Sequence, residues 1–145
     1  MQVSKIYPTR AKPVFDLLTK LFIEDYETST GQSISADEIV SGLTYIKKIG
    51  QQGSVNLQVL EFQPPESYRV EISSSRGKQM LHYLLEEIDS EQVKITYSEL
   101  NESPSFFNSW NYKLLKPFFK KKLETRMVLQ IDKLVEFSQS SFMKK

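Results

Sequence analysis

The stretches Ser54-Val-Asn-Leu-Gln-Val59 and Tyr68-Arg-Val-Glu-Ile72 decide how this chain folds. In both, an apolar side chain at every second position alternates with a polar one, the period of a strand with one dry face. Pro64-Pro65 closes the first of them, because proline supplies no N–H to a ladder. The pattern returns at Leu81, Tyr83 and Leu85 and again at Val93, Ile95 and Tyr97, beyond polar turns at Ser74-Ser-Arg-Gly77 and Asp89-Ser90. Upstream, Leu43-Thr-Tyr-Ile-Lys-Lys48 reads as a further strand, turned by Gly50-Gln-Gln-Gly53. Consecutive strands joined by short polar turns make an antiparallel meander with one dry face.

Outward from this meander the period lengthens. Towards the C-terminus, Leu115, Phe119, Leu123, Met127, Ile131 and Val135 recur every four residues, widened by Phe118, Val128 and Leu134. That is the apolar stripe of a long amphipathic helix, expected to be continuous over about 118–138. Pro117 predicts a kink, or a separate short helix over 106–116. Towards the N-terminus, Gln2–Tyr7 alternates weakly and reads as a first strand ended by Pro8. Thr9 is a candidate N-cap, and Phe15, Leu18 and Phe22, flanked by Val14, Leu17 and Leu21, recur at helical spacing to about Tyr26, where the polar run Glu27–Ser33, with Gly31, is expected to stop the helix. Ser35-Ala-Asp-Glu38 has the form of a capping box and predicts a second short helix, ended by Gly42. The order predicts an α+β fold: one domain over residues 1–145, with a curved antiparallel sheet wrapped around the C-terminal helix and two short helices after the first strand.

Composition narrows the chemistry. The 145 residues contain no cysteine and a single histidine, His82. A disulfide scaffold, a thiolate metal site and a cysteine nucleophile are thereby excluded, and no metal site or cofactor is expected. The N-terminus lacks the apolar run of a signal peptide, and no window is apolar enough to span a bilayer, so a cytoplasmic protein is expected. The net charge of +1 hides an asymmetry: residues 1–112 carry −5 and residues 113–145 carry +6. Lysines spaced around an apolar stripe are what a surface helix shows, and no base-reading motif accompanies them, so no nucleic-acid partner is expected.

Three stretches carry a resemblance: Ser33-Ile-Ser-Ala-Asp-Glu38 through Gly42-Leu-Thr-Tyr-Ile-Lys-Lys48, Glu61-Phe-Gln-Pro-Pro-Glu-Ser-Tyr68, and Trp110-Asn-Tyr-Lys-Leu-Leu115. With the element order, they resemble an uncharacterised family of small Gram-positive bacterial proteins. That family lies within the helix-grip superfamily of START domains, polyketide cyclase-like proteins and birch-pollen allergens. The resemblance implies an apolar cavity between sheet and C-terminal helix that binds a lipid, a polyketide or a similar molecule, and only occasionally an enzyme. Fold alone does not fix function.

Candidate site residues follow from the dry faces. Leu57, Val70, Tyr83, Ile95 and Tyr97 would form the sheet wall of such a cavity, Leu123 and Met127 the helix wall, and Trp110 the closure of its mouth. Tyr45, Tyr68, Tyr83 and Tyr97 each offer one hydroxyl on an apolar body, which suits orientation of a ligand's polar end. His82 falls on the opposite strand face, where a side chain without a chemical role is expected. The carboxylates Glu86, Glu87, Asp89 and Glu91 read as a solvated hairpin tip. No catalytic motif is present; a cyclase-like enzyme would have to draw its acid and base from the tyrosines, His82 or Glu99. The interleaved aromatics and lysines of 106–126 suit a lid, a helix meeting a protein or an anionic membrane surface, or plain core.

Overall fold

The computed structural model describes residues 1–48, 53–75, 77–102 and 110–143, with side chains at 1–48, 53–75, 77–101 and 121–139. Strand β1 (Gln2–Tyr7) leads into helix α1 (Ala11–Thr30), a single 3₁₀ turn (Ala36–Glu38), and strands β2 (Thr44–Lys48), β3 (Ser54–Gln63), β4 (Ser67–Ser74), β5 (Gly77–Asp89) and β6 (Gln92–Glu102). Helix α2 (Trp110–Met143) follows. The six strands form one antiparallel sheet in the order β1-β6-β5-β4-β3-β2, so the meander has the form expected and β1 adds to its far edge beside β6.

Two expectations change. The elements after β1 are not two short helices but one helix of 20 residues and a 3₁₀ turn of three. Helix α1 runs past Tyr26 to Thr30, with Glu27 and Thr28 exposed. Within the polar run it is Gly31 that stops it, at φ +73°, donating its N–H to the Glu27 carbonyl in the left-handed conformation that a side chain would strain. The N-cap is Arg10 rather than Thr9. The first helical N–H, that of Ala11, is taken at 3.2 Å by the carboxylate of Glu87 on β5, an anion placed at the positive helix end. The second change is at Pro117: α2 is helical on both sides of it, with no separate short helix over 110–116. One missing donor in a helix of 34 residues leaves the turns around it to carry the ladder. The part of that expectation on 106–109, the Gly50 turn and the Trp110 side chain lie outside the described residues.

Both helices cover the dry face of the sheet. Helix α2 packs on α1 and on β1 and β6, whereas α1 covers the β2 side. Met127, Ile131, Leu134 and Val135 of α2 meet the interior with Val14, Phe15, Leu18 and Phe22 of α1, all buried. Burial of each such side chain contributes about 1.5–3 kcal/mol. Polar links hold the layers in register. Tyr7 Oη donates to Asp132 at 2.6 Å and Lys5 Nζ to the same carboxylate at 2.9 Å, joining β1 to α2. Tyr45 donates to Asp25, which Lys47 also reaches at 2.8 Å, joining β2 to α1. Gln139 Nε2 donates to the buried Thr9 hydroxyl at 2.8 Å.

Candidate functional site

Register places Val3, Tyr97, Tyr83, Tyr68 and Phe62 directly opposite one another across β1, β6, β5, β4 and β3. Cross-strand neighbours on one face stand close enough for their rings to touch. Tyr97 and Tyr83 have centroids 4.6 Å apart, Tyr83 and Tyr68 stack at 6.2 Å, and Phe62 meets Tyr68 edge-on at 5.8 Å. From α1, Phe15 closes on Phe62 at 5.3 Å and Phe22 on Tyr68 at 6.1 Å. The middle of the concave face is therefore filled by rings.

Beside this row, two residues further along β6, Glu99 points into the same face. Its carboxylate is buried, 7% exposed, and both oxygens are engaged: Tyr97 donates its hydroxyl at 2.5 Å and Arg126 of α2 a guanidinium N–H at 2.6 Å. Arg126 also donates to Gln130 Oε1 at 3.4 Å, and Gln130 Nε2 donates to Tyr83 Oη at 2.8 Å. Arg126 and Gln130 stand one turn apart, so a single helix face supplies both. Burial is the main reason the Tyr97 and Tyr83 phenols are pushed up, and at neutral pH both stay protonated. Tyr68 is likewise raised by burial, and its hydroxyl has no hydrogen-bond partner among the described residues.

Around this cluster burial is less complete. Leu81, opposite Glu99 on β5, is half-buried, as are Ile72 on β4 and Leu123 one turn before Met127. Of the residues assigned to a cavity wall from sequence, Tyr83, Tyr97 and Val70 stand at this end of the face, and Leu123 is half-buried on α2, three residues before Arg126. Ile95 and Met127 have no accessible surface and lie in the packed layer between sheet and helices. Leu57 belongs to another row, beside Tyr45 and Ile72. Trp110 opens α2, its side chain outside the described residues.

His82 is on the convex face, as its strand parity requires, but it has a partner: its Nε2 lies 3.0 Å from the hydroxyl of the buried Ser67, which also contacts Glu61. Burial, and then the neighbouring Arg69, hold the imidazole below its ordinary range. A hollow of about 380 Å³ opens beside Arg69, Met80 and His82, and one of about 690 Å³ between Pro8, Pro13, Asp89 and Gln139. The smaller one is also lined by Glu99, next to the aromatic row; the larger one lies away from it. No group of three or more metal-ligating side chains occurs among the described residues, and no helix there is long and apolar enough to cross a membrane.

Glu99 was visible in the sequence only as a titratable residue. Its signal is parity, since it continues the inward set Val93, Ile95, Tyr97. Arg126 and Gln130 carried no signal of their own; only the position of α2 over β6 brings them to Glu99.

Residues 1–120 match the family described as a domain of unknown function, DUF3284. No curated protein matches the chain. Among solved structures, the chain is similar to a protein of unknown function from Staphylococcus aureus, with 16% identity and a TM-score of 0.63 over 99% of this chain and 94% of that one. It is similar to DynU16, a protein of the dynemicin biosynthetic locus, with 10% identity and a TM-score of 0.60 over 97% of this chain; it spans about half of DynU16, 47%. The Aha1 dimer from Colwellia psychrerythraea follows at 13% identity and a TM-score of 0.51, with 92% of each chain covered. At such identities the likeness is one of fold, and the fold is the helix grip.

Proposed function

Since the chain belongs to the DUF3284 family, whose description commits it to no activity, we propose a function from the site itself: the protein binds an apolar small molecule, of lipid or polyketide-like character, between the sheet and helix α2. One observation carries this reading. A buried carboxylate, Glu99, met by the half-exposed Arg126 guanidinium and flanked by two phenols, stands at the less buried end of an otherwise dry face, beside half-buried Leu81, Ile72 and Leu123. For stability alone the buried carboxylate has little value, because desolvating a charge costs several kcal/mol and an apolar residue would serve as well. A few convergent polar groups in an apolar recess are instead what orients a small ligand. The helix-grip fold supports the same reading by analogy. Cytoplasmic location and membership of a Gram-positive bacterial family belong to this proposal. Nothing in the polar cluster pairs a general acid with a free base, so binding is favoured over a cyclase-like reaction.

Nile red, a neutral apolar dye, is the probe. It should bind the purified protein with a fluorescence rise, and Leu81→Trp should keep the melting temperature while weakening the dye severalfold, because the new ring occupies the recess. Absence of any uptake by the wild type overturns the proposal and moves a surface role for segment 106–126 to first place.

A further inference from the structure

The proton count of the polar cluster restricts what it can receive. Both Glu99 oxygens are engaged, by Tyr97 and Arg126; the Tyr83 oxygen accepts from Gln130; and Gln130 Oε1 accepts from Arg126. Each of these acceptors already takes one hydrogen bond, whereas several donors have none. The Tyr83 hydroxyl accepts from Gln130, so its own proton is free. The Tyr68 hydroxyl, stacked beside it, has no partner among the described residues. Arg126 has five N–H donors, of which one serves Glu99 and one Gln130, and its side chain is half exposed. A cluster with more unspent donors than unmatched acceptors holds a carboxylate or carbonyl oxygen better than an ammonium, which can only donate.

Charge points the same way. Glu99 is offset by Arg126, so the cluster is neutral, and the next turn of α2 adds the exposed Lys121 and Lys122, the latter on the same helix face as Arg126, against Glu124. Asp25, whose charge reaches the Tyr68 hydroxyl, is itself offset by Lys47, so an anionic head meets a net positive surround, with a planar fork that matches a carboxylate in two places.

Resting on the binding reading above, we propose that the ligand is an apolar carboxylic acid, its head held by Arg126 and the Tyr83 and Tyr68 hydroxyls and its apolar body on Leu81, Ile72 and Leu123. Arg126 then has two roles: it neutralises Glu99, and it reads the ligand's head.

The test is competition against bound Nile red by dodecanoic acid, dodecanol and dodecylamine, below their micelle concentrations. The acid should displace the dye at about a tenfold lower concentration than the alcohol, with the amine weakest, as expected for one charge-assisted hydrogen bond. Arg126→Gln, which removes the charge and the fork together, should abolish the preference of acid over alcohol. Arg126→Lys, which keeps the charge without the fork, should retain part of it and serves if the glutamine variant unfolds. Equal displacement by all three compounds overturns the assignment while the binding site stands. Failure of Nile red to bind at all overturns both.

Discussion

Removing one hydroxyl from Tyr97 and one from Tyr83 is the same chemical change, yet the structure gives the two different costs. Tyr97 is 1% exposed and donates to a carboxylate that is itself 7% exposed. In Tyr97→Phe the ring keeps its tilted contact with Tyr83, but Glu99 Oε2 loses its donor where water has little access. A buried acceptor left unmatched costs about 1–3 kcal/mol, and the charge on Glu99 puts this case in the upper half of that range, about 2 kcal/mol. Tyr83→Phe removes an acceptor from Gln130, whose half-buried amide can turn to solvent, so the cost falls to about 0.5 kcal/mol or less. Urea denaturation followed by far-UV circular dichroism measures both, read at constant slope so that only stability has changed. The double variant Tyr97→Phe/Glu99→Gln should cost less than the sum of its parts, since both remove the same contact. Equal costs for the two phenylalanine variants, or the reverse order, would refute the reasoning that burial of the partner sets the magnitude.

Two further outcomes follow from packing and proton linkage. Met127→Ala, at a position with no accessible surface between the layers, should lower stability by about 2–5 kcal/mol, whereas Leu129→Ala, 53% exposed on the same helix, should stay within about 0.5 kcal/mol; thermal melts compare them directly. His82 is held below its ordinary value of 6.5, so as pH falls the unfolded chain takes up the proton first. Stability is then full above that value and declines as pH drops through it towards the lowered one. His82→Gln should flatten that part of a pH series of urea midpoints, and an unchanged slope would show that another group binds the proton.

The meander was legible because Val55, Leu57 and Val59, Tyr68, Val70 and Ile72, and Val93, Ile95 and Tyr97 each keep the period of two that only a half-dry strand needs. Helix α2 was legible from the four-residue recurrence through Met127 and Val135. Register was not legible in the sequence. It depends on turn geometry and on the bulges at Leu60 and Ile88, and it alone lines up Phe62, Tyr68, Tyr83 and Tyr97. The length of α1 was misjudged because composition weighs Glu27 and Thr28 as breakers, whereas a helix on a surface tolerates polar residues until a backbone device such as Gly31 ends it. The cap at Ala11 was hidden for another reason: Glu87 lies 76 positions away in sequence.

The placement of β1 has a consequence for the order in which the molecule can assemble. Its first strand has one sheet neighbour, β6, and its side-chain partners on α2 are equally remote: Tyr7 reaches Asp132 over 125 positions and Thr9 is held by Gln139 over 130. As the chain leaves the ribosome, the hairpins β2 to β6 can close on near neighbours, each bringing in little loop entropy. The earliest-made strand waits for almost the last-made helix. Contacts of such long sequence separation slow the final closure, and until it occurs the β6 edge stands open with its N–H and carbonyl groups unpaired. The seam between β1, β6 and α2 is thus where the nascent protein is most open to a foreign strand, and where a chaperone would have reason to hold it.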